Sequence, residues 1–177
     1  MIDVILVIED KKEERDAAMQ AIKKLNPHVT ELAEAEFMGL VALKSSNAEG
    51  GLMVWLTPDL EWAKHRLELL QKITKVLGDK GRVGVITDLM LPARKDMKDE
   101  PNGLIVISKC IEAGLPVVVC SDTDHHDVAW LRPVFPILGK AHPVGNIPVI
   151  LDKKDWEKAL NLLAEIWQIP TNSHHGE

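Results

Sequence analysis

The sequence predicts an α/β fold, a doubly wound parallel sheet with helices on both faces. Apolar runs of strand length alternate with longer stretches of helical period, the pattern of repeated strand-helix-strand units. Several of those runs, such as Ile5-Leu6-Val7-Ile8 and Val117-Val118-Val119-Cys120, are continuously apolar, as strands covered on both faces should be. A chain of 177 residues, 46% apolar and 27% charged, holds enough material for one domain with a sizeable core.

The first strand is expected over Val4 to Ile8, and the first helix over Lys11 to Leu25, where Ala17, Ala18, Ala21, Ile22 and Leu25 form one stripe. Asn26-Pro27 ends that helix. Residues 28–57 fit two patterns. Met38 to Leu43 and Leu52 to Leu56 could form a hairpin around the polar segment 44–51, or Glu31 to Leu43 could be helical, with Leu52 to Leu56 as the second sheet strand in either case. Thr57-Pro58-Asp59 reads as a helix start with Thr57 as the cap, followed by a helix to Leu77 that Gly78 stops.

Val83 to Thr87 is the expected central strand. Ala93 to Asn102, charged and containing Pro101, should be an extended loop. Gly103 to Ala113 reads as a helix, Leu115 to Ser121 as a strand, His125 to Val134 as a short helix and Ile137 to Lys140 as the last sheet strand. Lys154 to Ile169 reads as a closing amphipathic helix. Residues 170–177 lack apolar content and are expected to form a mobile tail.

A formal charge of -6 and the absence of a basic stripe argue against nucleic-acid binding through phosphates. No apolar run reaches the roughly 18 residues a spanning helix needs. The amino terminus enters a strand without a charged leader, so the expectation is a cytoplasmic protein with no membrane contact. Cys110 and Cys120 lie within apolar runs and read as buried small hydrophobes. With no Tyr and two Phe, the five tryptophans must supply most of the aromatic packing.

Chemistry concentrates at the strand ends. Ile8 runs into Glu9-Asp10, Thr87 into Asp88, Cys120 into Ser121 and Gly139 into Lys140. In an open parallel sheet the carboxyl ends of the strands face the crevice where ligands bind. Two acids, an acid, a hydroxyl and a lysine in that order resemble the response-regulator receiver domain. The likeness is carried by Ile5-Leu6-Val7-Ile8-Glu9-Asp10, Ile86-Thr87-Asp88-Leu89-Met90-Leu91-Pro92, Asn102-Gly103-Leu104 and Leu115-Pro116-Val117-Val118-Val119-Cys120-Ser121. It covers about residues 2–26 and 82–167.

The resemblance implies a flavodoxin-like (CheY-like) sheet of five parallel strands in the order 2-1-3-4-5. One receiver-like domain would span residues 1–169, enlarged by an insertion at about 28–57. By the same resemblance, Asp88 would accept a phosphoryl group in a Mg²⁺-dependent reaction. Asp10, Asp88 and the Met90 carbonyl would hold the ion and Glu9 would reach it through water, a hard-oxygen set that suits magnesium. Ser121 and Lys140 would hold the phosphoryl oxygens. The implied partners are a histidine kinase or phosphotransfer protein as donor and a downstream protein as receiver of the signal.

The chain departs from the family pattern at several points. The 77 residues between Asp10 and Asp88 and the segment from Pro92 to Gly103 are both longer than the family's. Asp122 stands beside Ser121 where a small residue is usual, Ile137 takes the place of an aromatic switch residue, and Ala141 replaces a proline after Lys140. These motivate a second expectation, a pseudo-receiver acting by binding alone. A third uses Glu9, Asp88, Asp122 and Asp124 as a metal-dependent phosphoester hydrolase site, faintly similar to a Toprim arrangement. Asp122-Thr123-Asp124-His125-His126 could bind a transition metal, although the same residues make a good turn and helix start.

Overall fold

The computed structural model describes residues 1–31, 51–78, 81–124, 126–127, 129–131, 133–142 and 145–168. The alternatives for Met38 to Leu43, most of the insertion, His125 and the tail at 170–177 lie outside the described residues.

Four of the expected strands form where the apolar runs stand: β1 (Ile2–Ile8), β3 (Gly51–Thr57), β4 (Gly81–Thr87) and β7 (Val117–Cys120). Two short strands flank them, β2 (Thr30–Glu31) and β8 (Val149–Ile150). All pairings in this sheet are parallel, in the order β2-β3-β1-β4-β7-β8. Among the described residues the sheet therefore has six strands rather than five. Its order differs from the expected one by the added edge strand β2, which pairs with Met53 and Val54.

The helices among the described residues are α1 (Lys12–Leu25), α2 (Leu60–Leu77), α3 (Gly103–Glu112), α4 (Val134–Gly139) and α5 (Trp156–Gln168). Strand periodicity divides the core between two faces. From β1, Val4, Leu6 and Ile8 pack with α2 and α3, while Ile5 and Val7 pack with α1 and α5. Val117 and Val119 join the first cluster, Val118 and Cys120 the second. At Gly84, a Cβ would lie 2.6 Å from Leu163 Cδ1, so the missing side chain lets α5 approach the sheet.

Three expectations are corrected. The cap of α2 is Asp59, whose carboxylate accepts the Trp62 amide at 2.9 Å, because Thr57 is still the last paired residue of β3. The segment expected to be an extended loop, Ala93 to Asn102, instead lies in a small antiparallel hairpin, β5 (Leu91–Pro92) with β6 (Asp99–Glu100). Ile137 to Lys140 is not a strand: Val134–Gly139 is helical, and the last sheet strand is Val149–Ile150. Pro136 fits that helix because it sits in the first turn, where amides have no intrahelical partner, whereas mid-strand it would remove a ladder bond. A 3-10 turn at Ala129–Leu131 precedes α4, inside the segment expected to be a short helix.

Candidate functional site

Register places the polar strand ends side by side. The amide of Glu9 donates to Thr57 O at 2.8 Å, that of Asp88 to Ile8 O at 2.9 Å and that of Ser121 to Ile150 O at 3.0 Å. Glu9, Asp88 and Ser121 thus leave the ends of β1, β4 and β7 at one rim. The chain switches direction across the sheet between β1 and β4, and ligand crevices open at such switch points.

Asp88 lies at the centre of this rim, almost wholly buried. Its Oδ1 accepts the Leu89 amide at 2.5 Å, the Met90 amide at 3.2 Å and the Ser121 hydroxyl at 2.5 Å. Its Oδ2 accepts Lys154 Nζ at 2.6 Å. The same ammonium reaches Glu9 Oε2 at 2.5 Å, and Glu9 Oε1 accepts the Lys11 amide at 3.0 Å. Ser121 Oγ also lies 2.9 Å from Thr123 Oγ1. Burial with hydrogen bonds on every side fixes the Asp88 carboxylate in one orientation.

Glu9, Asp10 and Asp88 bring one carboxylate oxygen each to within 4.8 Å of one another. Burial, together with the charge of Asp88, pushes the Glu9 carboxyl up to about 8. For Lys154, burial alone would favour the neutral amine, but Asp88 and Glu9 override it and hold the ammonium above its usual value. Three carboxyl groups share a single buried ammonium at this rim. Asp10 Oδ1 is a buried oxygen with no hydrogen-bond partner among the described residues. An all-oxygen donor set and an orphaned buried oxygen fit a hard divalent cation, and the cluster can hold a metal ion.

Lys140 is not part of this arrangement. It is exposed at the end of α4, and the buried lysine is Lys154, beyond β8. Asp122 bonds the Lys11 ammonium at 2.8 Å and lies 3.8 Å from Lys154. Partial burial opposes it, but the bond from Lys11 and the charges of both lysines hold its carboxyl below the ordinary range. Asp124 stays outside the cluster and accepts the His126 amide in a turn.

Asp99, on the hairpin after Asp88, went unread in the sequence. Burial and the nearby charge of Asp10 raise its carboxyl above the usual value. Arg15 braces the acidic turn, donating to the carbonyls of Glu9 at 2.7 Å and Asp10 at 2.5 Å.

No family model matches the chain, and no curated protein does. Two solved structures are similar. One is a de novo designed PLOOP2X3_50 fold protein, 18% identical, at TM-score 0.47, covering 75% of this chain and 88% of its own. The other is a de novo designed P-loop NTPase fold protein, 12% identical, at TM-score 0.40, covering 95% of this chain and 91% of its own. No helix among the described residues is long and apolar enough to cross a membrane.

Proposed function

We propose that the chain is a receiver-like signalling domain in which Asp88 accepts a phosphoryl group. The observation that carries this reading is the setting of Asp88: at the switch point, between the Ser121 hydroxyl and the Lys154 ammonium, with Glu9 and Asp10 beside it. On this reading Lys154 takes the role that the resemblance implied for Lys140. The flavodoxin-like description of the sheet belongs to this reading, with β2 as an addition at its edge.

In the reaction, an Asp88 carboxylate oxygen attacks the donor phosphorus. The new O–P bond forms as the bond from phosphorus to the leaving group breaks, and the leaving group departs with that electron pair. Asp88 needs no general base, because it reacts as the carboxylate. Glu9, Asp10, Asp88 and the Met90 carbonyl are the candidate ligands for Mg²⁺, which would neutralise phosphoryl oxygens. Ser121 Oγ can donate to one transferred oxygen. Lys154 Nζ, already 2.6 Å from Asp88, can pair with another. The partners that follow are a histidine kinase or phosphotransfer protein as donor and a protein that reads the phosphorylated form.

The test is incorporation from acetyl phosphate with Mg²⁺, followed by intact mass. The expected result is one phosphoryl group, absent without Mg²⁺ and absent in Asp88→Asn. Unchanged incorporation in Asp88→Asn would overturn the assignment.

One set of observations favours the pseudo-receiver alternative. Glu9, Asp88 and Lys154 satisfy one another in a buried cluster, and the residue three before Lys154 is the aliphatic Leu151 rather than an aromatic switch. Partner binding retained in a protein that never incorporates phosphate would select it. The phosphoester hydrolase reading has no comparable support, since Asp124 lies outside the acidic cluster.

A further inference from the structure

A nucleophile must meet its donor phosphorus at about 3–3.5 Å and in line. The side chain of Asp88 is 2% exposed, so the rim as it stands does not admit a donor. Strand order identifies what lies across the opening. β4, which carries Asp88, runs between β1 and β7. Lys11 follows β1 and Asp122 follows β7, and their ion pair at 2.8 Å joins residues 111 positions apart in sequence. Two inter-strand spacings, about 10 Å, separate β1 from β7, so the pair has to bridge the carboxyl end of β4.

We infer that Lys11 and Asp122 form a strap across the mouth of the Asp88 pocket, and that its opening admits the phosphodonor. This rests on the acceptor reading of Asp88 and adds to it two residues that control access. The two halves of the rim differ in kind. Lys154 is buried beneath the opening with Glu9 and Asp88, whereas the side chains of Lys11 and Asp122 are 46% and 44% exposed. An exposed pair of this sort shifts an equilibrium only a few-fold and is screened by salt, which suits a part that opens. The strap also accounts for an acid beside Ser121. Paired with Lys11 and close to Lys154, Asp122 presents little net charge to an anionic donor.

Two variants separate a strap from simple electrostatics. If Lys11 and Asp122 acted only through their charge on an anionic donor, Asp122→Asn would speed acetyl phosphate incorporation and Lys11→Gln would slow it. A strap makes both variants faster, by about two- to five-fold for an exposed pair. Lys11→Arg, which can keep the pair, should stay near the wild-type rate. Raising the salt concentration should accelerate the wild type more than either neutral variant.

Opposite signs for the two variants, or rates equal to wild type in both, would overturn the strap while leaving Asp88 as acceptor. Incorporation in the variants but not in the wild type would support it most strongly. No incorporation in any protein at any salt concentration would overturn the strap together with the acceptor reading.

Discussion

Replacing Lys154 with Met keeps much of the stem's volume and removes the ammonium. Glu9 and Asp88 would then lie buried with no cation in contact, the case in which deleting one partner of a buried ion pair costs about 3–5 kcal/mol. One ammonium serves both acids at 2.5 and 2.6 Å, but protonation of Glu9, whose carboxyl already stands at about 8, relieves part of the cost and favours the lower half of that range. For a chain of this size each kcal/mol lowers Tm by roughly 2–4 °C, so a fall of roughly 6–16 °C is expected. Lys140→Met, at an exposed helix end, should stay within about 0.5 kcal/mol of wild type. Urea unfolding followed by tryptophan fluorescence measures both. The midpoint should drop for the first variant at unchanged slope, which identifies a loss of stability rather than a change in unfolded-state compactness. Mg²⁺ should restore more stability to Lys154→Met than to wild type, because the metal would occupy a pocket that has lost its buried ammonium. A loss below about 1 kcal/mol, or equal losses at the two lysines, would refute the role of Lys154 as the shared counter-ion of Glu9 and Asp88.

Two further outcomes follow from the same structure. His142 is buried and accepts the Val117 amide on Nε2 at 3.0 Å, an arrangement open only to the neutral ring, and burial lowers its pKa. The unfolded chain therefore binds the extra proton more readily. The His142 contribution is complete above pH about 6.5 and falls away as the pH drops below it. His142→Gln, with an acceptor that does not titrate, should flatten the stability profile between pH 7 and pH 5 in urea titrations. Gly103→Ala places a Cβ 2.3 Å from the Asp88 carbonyl oxygen and 2.7 Å from Leu89 Cα, both backbone atoms that cannot swing aside. A destabilisation of about 2–3 kcal/mol is expected, together with weaker divalent-cation binding in a fluorescence titration, since the displaced backbone is that of Asp88.

Much of the rim is legible in sequence because the central strands are buried on both faces. Largely apolar runs at β1, β4 and β7 leave little choice of element, and each gives way to an acid or a serine where the strand reaches the crevice. That logic locates Glu9, Asp88 and Ser121. It fails for β8, two residues long and preceded by Pro148, while the longer apolar run Phe135 to Gly139 looks more like a strand. Pro136 was the available warning against that reading. Lys154 is hidden for a different reason. It sits within Asp152-Lys153-Lys154-Asp155, which reads as a solvated charge run, and only counter-ions 66 and 145 residues away make its burial tolerable. Asp99 is similarly invisible, since nothing local shows that the hairpin turns back toward Asp10.

The two lysines of the rim run in opposite directions across the same strand end. Lys154 starts beyond β8, passes β7 and ends on β4 and β1. Lys11, just beyond β1, pairs with Asp122, just beyond β7, on the far side of β4. Their exposures separate their roles. A charge removed from water with two carboxylates cannot leave without stranding both, so Lys154 is held by several kcal/mol and stays in place while the pocket opens. A pair half in solvent is worth tenths of a kcal/mol to about one, so Lys11 can leave Asp122 on thermal fluctuation. Any opening of this site must therefore begin at the outer pair. If Asp88 is the acceptor proposed above, a rim with its strong contacts beneath and its weak contact on top stays assembled through the passage of a donor.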